Sequence, residues 1–252
     1  MLKNQRILIT GDDGYNSIGI RVLIKLLRED NALKIMGTAT QQSGVGGLLN
    51  LKSSAAYEKS EVDGIEAVSI VGSPVDAIEH TRAFFPQKFD LVISGINMGE
   101  NVAYSVISSG TFAAAVRAIG CDLAPHAIVF SSKVDPSNFF HNHNGVDPIA
   151  DYLDYPGEAV LSSIDTILEN DFWGKRIVNV NFPAQKTDQF KITKLDDNLI
   201  NYWDRSLTID PVNKTISQDN SHPYSKNMNM DVRYDTGALN NGFISINPVT
   251  FE

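Results

Sequence analysis

Cysteine is nearly absent from this chain: Cys121 stands alone among 252 residues. No disulfide can form within the chain and no thiolate cluster can hold a metal, so a reducing compartment is expected. Long apolar runs are missing too. The N-terminal Met-Leu-Lys-Asn-Gln-Arg leads into an apolar stretch, Ile7 to Ile9, far too short for a secretion signal, and nothing reaches membrane length. A cytoplasmic chain with no membrane partner is the expectation. Positive charge is scarce, with 21 Lys and Arg against 30 Asp and Glu and a formal charge of −9. That balance excludes a protein that tracks a nucleic-acid polymer, which needs a dense basic surface. A small anionic ligand stays open, because one divalent cation reverses the local field. Neither Gly-x-Gly-x-x-Gly nor a Walker A string follows a strand, so dinucleotide and NTP cradles lack their fingerprint. There is no internal repeat and no low-complexity tract.

What is present is an ordinary globular balance, 42% hydrophobic and 20% charged, on a chain long enough to bury a full core. Strand and helix signals alternate through the first half. Arg6–Thr10 reads as a buried strand ending in Gly11-Asp12-Asp13-Gly14, and a helix follows with Ile20, Leu23, Ile24 and Leu27 on one stripe. Leu33–Ala39 is a second strand, followed by the loop Gln41 to Gly47; residues 50–72 read as short strands. Pro74 fits the first turn of a helix through the early 80s. Asp90–Ser94 and Ala127–Ser131 are further strands, with an alanine-rich helix, Thr111–Ile119, between them. This alternation implies βαβ units, a doubly wound α/β fold and a mostly parallel sheet. Residues 133–148 read as a loop. Glu158–Glu169 is an amphipathic helix, Ile177–Phe182 a strand, and Gly242–Asn247 a closing strand. Residues 186–234 are polar and weakly patterned, either a β-hairpin arm or a mobile excursion.

In such a sheet ligands bind outside the carboxyl ends of the strands. Three loops there carry polar cargo: Gly11–Gly14, Gln41–Gly47 and Gly95–Asn101. Adjacent carboxylates at Asp12 and Asp13 repel unless a cation, a proton or solvent relieves them. A solvated turn with an Asp cap explains the string alone; its place after the first buried strand favours a metal. Ser43 and Asn97 add neutral oxygens, giving an all-oxygen set for Mg²⁺, Mn²⁺ or Ca²⁺ rather than zinc or copper. Both residues are also ordinary turn formers. Ser109-Gly110-Thr111 at a helix start is either an anion cradle or plain N-capping. Arg117 either faces a phosphate or is a solvated helix residue. Cys121 has no base beside it and reads as a small buried residue. His141-Asn142-His143 spells the letters of a nuclease motif whose residues are normally dispersed, and it carries little weight.

The blocks ILITGDDGYNSIGI at 7–20, QSGVGG at 42–47, VGSPVDA at 71–77, LVISGINMGEN at 91–101, SSGTFAAAVRAIG at 108–120, VNVNFP at 178–183 and DTGALNNGFISINP at 235–248 occur in this order. Together they resemble the SurE family of stationary-phase survival nucleotidases. The resemblance implies a Rossmann-like core over 1–185, an extended arm over 186–234 and a returning strand over 235–252. It implies one divalent ion per subunit held by Asp12, Asp13, Ser43 and Asn97. Phosphate and substrate contacts are expected from Gly14, Asn101, Ser109, Gly110 and Thr111. The implied activity is hydrolysis of nucleoside 5′- and 3′-monophosphates in a homodimer or homotetramer that exchanges C-terminal arms.

Two departures stand out. Gly11 occupies the position where the family usually has Asn, and Ala39-Thr40-Gln41-Gln42 replaces its usual Ala-Pro opening. The expected chemistry is metal-assisted phosphomonoester hydrolysis with Asp12 and Asp13 catalytic. The alternative kept open by Gly11 is a nucleotide-binding, regulatory protein with weakened catalysis. A haloacid-dehalogenase-like mechanism expects a second Asp two positions after the first, where this chain has Gly14.

Overall fold

In the computed structural model the apolar runs are buried on both faces, as strands sandwiched between helix layers must be. It describes residues 2–51, 54–135, 138–139, 141–197, 206–219 and 229–250. The elements are β1 (Arg6–Thr10), α1 (Ile18–Leu27), β2 (Ala32–Thr38), β3 (Tyr57–Val62), β4 (Ile65–Ile70), α2 (Pro74–Phe84) and β5 (Leu91–Met98). A 3-10 turn, Ala103–Ser108, leads into α3 (Gly110–Gly120) and β6 (Ala127–Ser132). After α4 (Ala150–Tyr152) and α5 (Glu158–Glu169) come β7 (Ile177–Phe182), β8 (Phe190–Ile192), β9 (Ser206–Asp210), β10 (Thr215–Asp219), α6 (Asp235–Asn240) and β11 (Ile244–Val249).

One sheet runs in the order β3-β4-β2-β1-β5-β6-β7-β11-β8. The strands from β4 to β7 are mutually parallel, while β3 and β11 run against their neighbours β4 and β7. From β1 the chain moves outward through β2 to β4, then crosses back over α2 to β5 on the other side of β1. Strand order therefore reverses between β1 and β5, which opens a crevice at their carboxyl ends.

Alternation along β1 divides the core. Ile7 and Ile9 face one helix layer with Ile20, Leu23 and Ile24 of α1 and Val160, Ile164 and Ile167 of α5. Leu8 faces the other, with Ala77 and Ile78 of α2 and Phe112, Ala114, Ala115 and Ala118 of α3. Each fully buried Ile or Leu contributes about 1.5–3 kcal/mol, so these stripes fix both helix layers on the sheet. Pro74 occupies the first turn of α2, and Ser73 and Asp76 cap each other's backbone there. At Gly19 an added Cβ would fall 2.0 Å from the Ile96 carbonyl oxygen, so α1 seats directly on the end of β5.

Two features differ from the sequence pattern. Phe190–Ile192, inside the polar stretch 186–234, is a strand of the main sheet, parallel to β11. β9 and β10 form a hairpin, the first of the two alternatives for that stretch, and among the described residues they pair with no other strand; residues 198–205 and 220–228 lie outside the described residues. The short helix α6 was not legible because it is held by tertiary contacts: Asp235 accepts from the Ala103 N–H at 2.8 Å and the Asp196 N–H at 3.0 Å. Among the described residues no helix is long and apolar enough to cross a membrane.

Candidate active site

The turn after β1 places Asp12 and Asp13 in the crevice, each only 4% exposed. Gly14, at φ +101°, supplies the left-handed step that turns the chain toward α1. The Thr111 hydroxyl, on the first turn of α3, donates to Asp12 Oδ1. The Met98 N–H, at the end of β5, donates to Asp13 Oδ2 at 2.8 Å, and the Gln41 side-chain amide donates to Asp13 Oδ1 at 3.2 Å. Asn97 directs Oδ1 to within 3.1 Å of the Thr111 hydroxyl and donates through Nδ2 to the Gly99 carbonyl at 2.7 Å.

Burial raises the pKa of both carboxyls. For Asp13, burial first and the charge of Asp12 second push it up to about 7. Asp12 is also raised by burial, against hydrogen bonds from Thr111 and the Gly110 amide that favour its ionised form. No lysine or arginine neutralises either residue among the described residues. The α3 N-terminus thus directs its amides at an anion supplied by the chain itself.

This donor set suits a hard divalent cation. Two carboxylates and a side-chain carbonyl are all oxygen. The single Thr111 proton serves Asp12, which leaves Asn97 Oδ1 facing it as an acceptor without that proton. Space is reserved as well: a Cβ at Gly110 would lie 2.8 Å from Asp12 Oδ2 and 2.9 Å from Pro74 Cγ.

The other sequence-derived candidates are placed differently. Ser43 is exposed, and its hydroxyl makes no hydrogen bond to Asp12, Asp13 or Asn97 among the described residues. Its loop is docked instead by the Gln42 N–H on the Asp12 carbonyl at 2.7 Å and the Gly46 N–H on the Ser108 carbonyl at 2.9 Å. Ser109 caps α3, accepting from the Phe112 N–H at 3.0 Å. Asn101 is buried in a separate polar group, with its N–H on Asn181 Oδ1 at 2.8 Å and its amide on Ser131 Oγ at 2.8 Å. Its carbonyl accepts from the Asn179 and Asn181 amides at 2.9 and 3.0 Å. Arg117 pairs with Glu79, which also receives the Cys121 thiol at 3.5 Å.

Asp12, Asp13, Asn97, Gly110 and Thr111 therefore converge, while Ser43 and Asn101 stand outside that cluster. Sequence reasoning passed over Gln41, Asn179 and Asn181 as site residues. The two asparagines did carry a signal, since polar residues two apart in an apolar strand share one face. Gln41 carried none.

Fold and crevice together define a doubly wound α/β protein with a buried carboxylate pair at its topological switch point. This chain belongs to the SurE family: the family model described as Survival protein SurE matches residues 7–203. The chain is 36% identical over 180 residues to the 5′-nucleotidase SurE of Methanopyrus kandleri, covering 71% of this chain and 66% of that protein. It is 30% identical over 251 residues to the 5′-nucleotidase SurE of Flavobacterium psychrophilum, covering 98% and 91% respectively. The fold is similar to that in the crystal structure of the SurE protein from Aquifex aeolicus, with a TM-score of 0.73 at 21% identity over 98% of this chain and 94% of that one.

Proposed function

We propose that this protein is a divalent-metal-dependent phosphomonoesterase that converts nucleoside 5′-monophosphates, and 3′-monophosphates, to nucleoside and phosphate. The observation that carries this reading is the buried Asp12–Asp13 pair, without a basic partner among the described residues, in a chain whose relatives are named 5′-nucleotidases.

Asp12, Asp13 and Asn97 would hold one Mg²⁺ or Mn²⁺. Ser43 would complete the protein's share of the shell if the Gln41–Gly47 loop folds inward. When bound, such a cation supplies positive charge against the phosphoryl group and lowers the pKa of water. Thr111 orients Asp12, and Gln41 and the Met98 amide orient Asp13; these hydrogen bonds favour the ionised forms against the burial that raises both carboxyls. Gly14, Asn101, Ser109, Gly110 and Thr111 are the residues we assign to phosphate and substrate; Gly110 and Thr111 are the two of them that bond Asp12, while Asn101 is held by Asn179, Asn181 and Ser131. In the reaction a water oxygen bonds to phosphorus, the ester P–O bond breaks, and the departing nucleoside oxygen takes up a proton.

The test is phosphate release from a panel of nucleoside monophosphates with Mg²⁺ or Mn²⁺, repeated with chelator. Asp12→Asn should lower turnover at least about 10³-fold, since several kcal/mol of charge stabilisation depend on it. Near-normal turnover in that variant removes the proposal. The second reading, a nucleotide-binding regulator, rests on Gly11, where a side-chain amide is missing although a Cβ would meet nothing nearer than 3.6 Å. Tight nucleotide binding without metal-dependent release would favour it.

We further assign residues 186–234 an oligomerisation role. The β9–β10 ribbon exposes Leu207, Ile209, Val212 and Ile216 at 67–87%, and an isolated two-stranded ribbon is marginal without a partner surface. A homodimer or homotetramer would cover it. A cytoplasmic location suits a chain with one cysteine.

A further inference from the structure

Two histidines and an aspartate on the loop after β6 have no role in the site above. His141 Nε2 lies 3.1 Å from Asp147 Oδ1, and His143 Nδ1 lies 3.9 Å from Asp147 Oδ2. The two imidazoles meet edge to face with centroids 4.8 Å apart. One ligand atom from each of the three residues lies within 4.8 Å of the others. In a tetrahedral zinc shell, with nitrogen about 2.0–2.1 Å from the ion, neighbouring ligand atoms stand about 3.4 Å apart. Closing the set takes roughly an ångström of movement. His141 is the residue able to make it, being 44% exposed.

The other two members are already fixed. The Asn144 N–H donates to Asp147 Oδ2 at 3.0 Å, and Arg21 of α1 holds the Asp147 carbonyl at 2.6 Å. The His143 side chain is 1% exposed. Its Nδ1 receives only a long contact from the Ile18 N–H, at 3.5 Å, and its Nε2 is buried with no hydrogen-bond partner among the described residues. Nδ1 is the nitrogen that faces Asp147, and with only that long contact its lone pair is open to an ion.

We propose that His141, His143 and Asp147 form a second metal site, selective for a borderline ion of the Zn²⁺ class. Two imidazoles and one carboxylate suit zinc, cobalt or nickel, whereas the all-oxygen set around Asp12 and Asp13 suits magnesium or manganese. The two sites therefore sort metals by donor chemistry. Burial pushes His143 down to about 4, so its ring is neutral at physiological pH, the form that ligates. Three protein ligands leave the fourth position to water.

The site is also tied to the crevice. Gln41, whose amide donates to Asp13, donates at 2.6 Å to the carbonyl of Phe139 on the same loop. An ion at His141, His143 and Asp147 fixes backbone two residues from that contact, and so steadies one of the groups that orient Asp13.

The test uses the full chain with Mg²⁺ in excess and reads metal binding rather than phosphate release, so it stands apart from the nucleotidase reading. Zn²⁺ is titrated by calorimetry, and Co²⁺ is followed by its visible absorption. One Zn²⁺ per chain is expected at micromolar concentration, with tetrahedral-type Co²⁺ bands. His141→Ala, at an exposed position, should weaken Zn²⁺ at least about 10-fold and abolish the bands. Asp147→Asn should behave similarly, and Asp12→Asn should leave both signals in place. Absence of Zn²⁺ binding in the unaltered protein, or unchanged binding in His141→Ala, overturns the proposal.

Discussion

The Thr111 hydroxyl gives its only proton to Asp12 while standing 3.1 Å from the side-chain oxygen of Asn97. Three oxygens from three different elements thus share one hydrogen, a local excess of acceptors that a cation relieves. Thr111→Val removes the donor at nearly constant shape. Metal affinity should fall about 10–100-fold, as when a ligand loses the partner that orients it. Thr111→Ser should restore it. Isothermal titration with Mn²⁺ reads both, and unaltered affinity in Thr111→Val would show that Asp12 needs no such partner.

Asp13 gives a pH signature whose sign follows from its environment. Burial and the neighbouring Asp12 raise it from 3.8 to about 7 in the folded protein. The metal-free fold therefore favours the protonated form. That contribution to stability is fully present below the unfolded value and is lost as pH rises through about 7. A cation requiring the carboxylate competes with this proton. Thermal stabilisation by Mg²⁺ should grow between about pH 5 and 8 and level off above, with proton release on binding. Scanning fluorimetry across that range is the check; a flat profile separates Asp13 from the metal.

Two glycines near the same carboxylates should respond oppositely to substitution. A Cβ at Gly110 meets Asp12 and Pro74 below 3.0 Å, whereas at Gly11 it meets only the Gly95 backbone, at 3.6 Å. Gly110→Ala should cost about 1–3 kcal/mol through overpacking and weaken metal binding. Gly11→Asn should leave the melting temperature within about 2 °C. By adding an amide donor beside the reacting group, it should also raise turnover about tenfold or more. Denaturant unfolding and phosphate release measure the two effects; lower turnover in Gly11→Asn would mean that this site is built around the glycine.

The asparagine group under Asn101 should be asymmetric in its energetics. Asn181 both accepts from the Asn101 N–H and donates to the Asn101 carbonyl, whereas Asn179 only donates. Asn181→Ala strands a buried N–H and should cost about 1–3 kcal/mol in urea unfolding. Asn179→Ala should cost less, because the Asn101 carbonyl keeps its other donor. Equal losses would refute this division.

Most of the fold could be read from periodicity. β1, β6, β7, α1, α2, α3 and α5 fall within a residue or two of their apolar patterns, because each buries a face that its own sequence marks. β8 and α6 escaped, since three and six residues are too few to show a period and both are held by contacts from distant segments. At the crevice, Asp12, Asp13 and Asn97 were legible from their places at strand ends. Gln41 was not, because nothing local distinguishes it from Gln42; its role exists only where Phe139 and Asp13 come within reach.

The sequence by itself determined most of the elements, the mostly parallel α/β class and the carboxylates that follow β1, since hydrophobic period and turn residues act over a few neighbours. Which oxygens face one another was decided by tertiary structure alone. Asp12 meets Thr111 across 99 residues of chain and Asp13 meets Met98 across 85. Hydrogen bonds of that separation depend on how whole layers pack, and no local pattern encodes them.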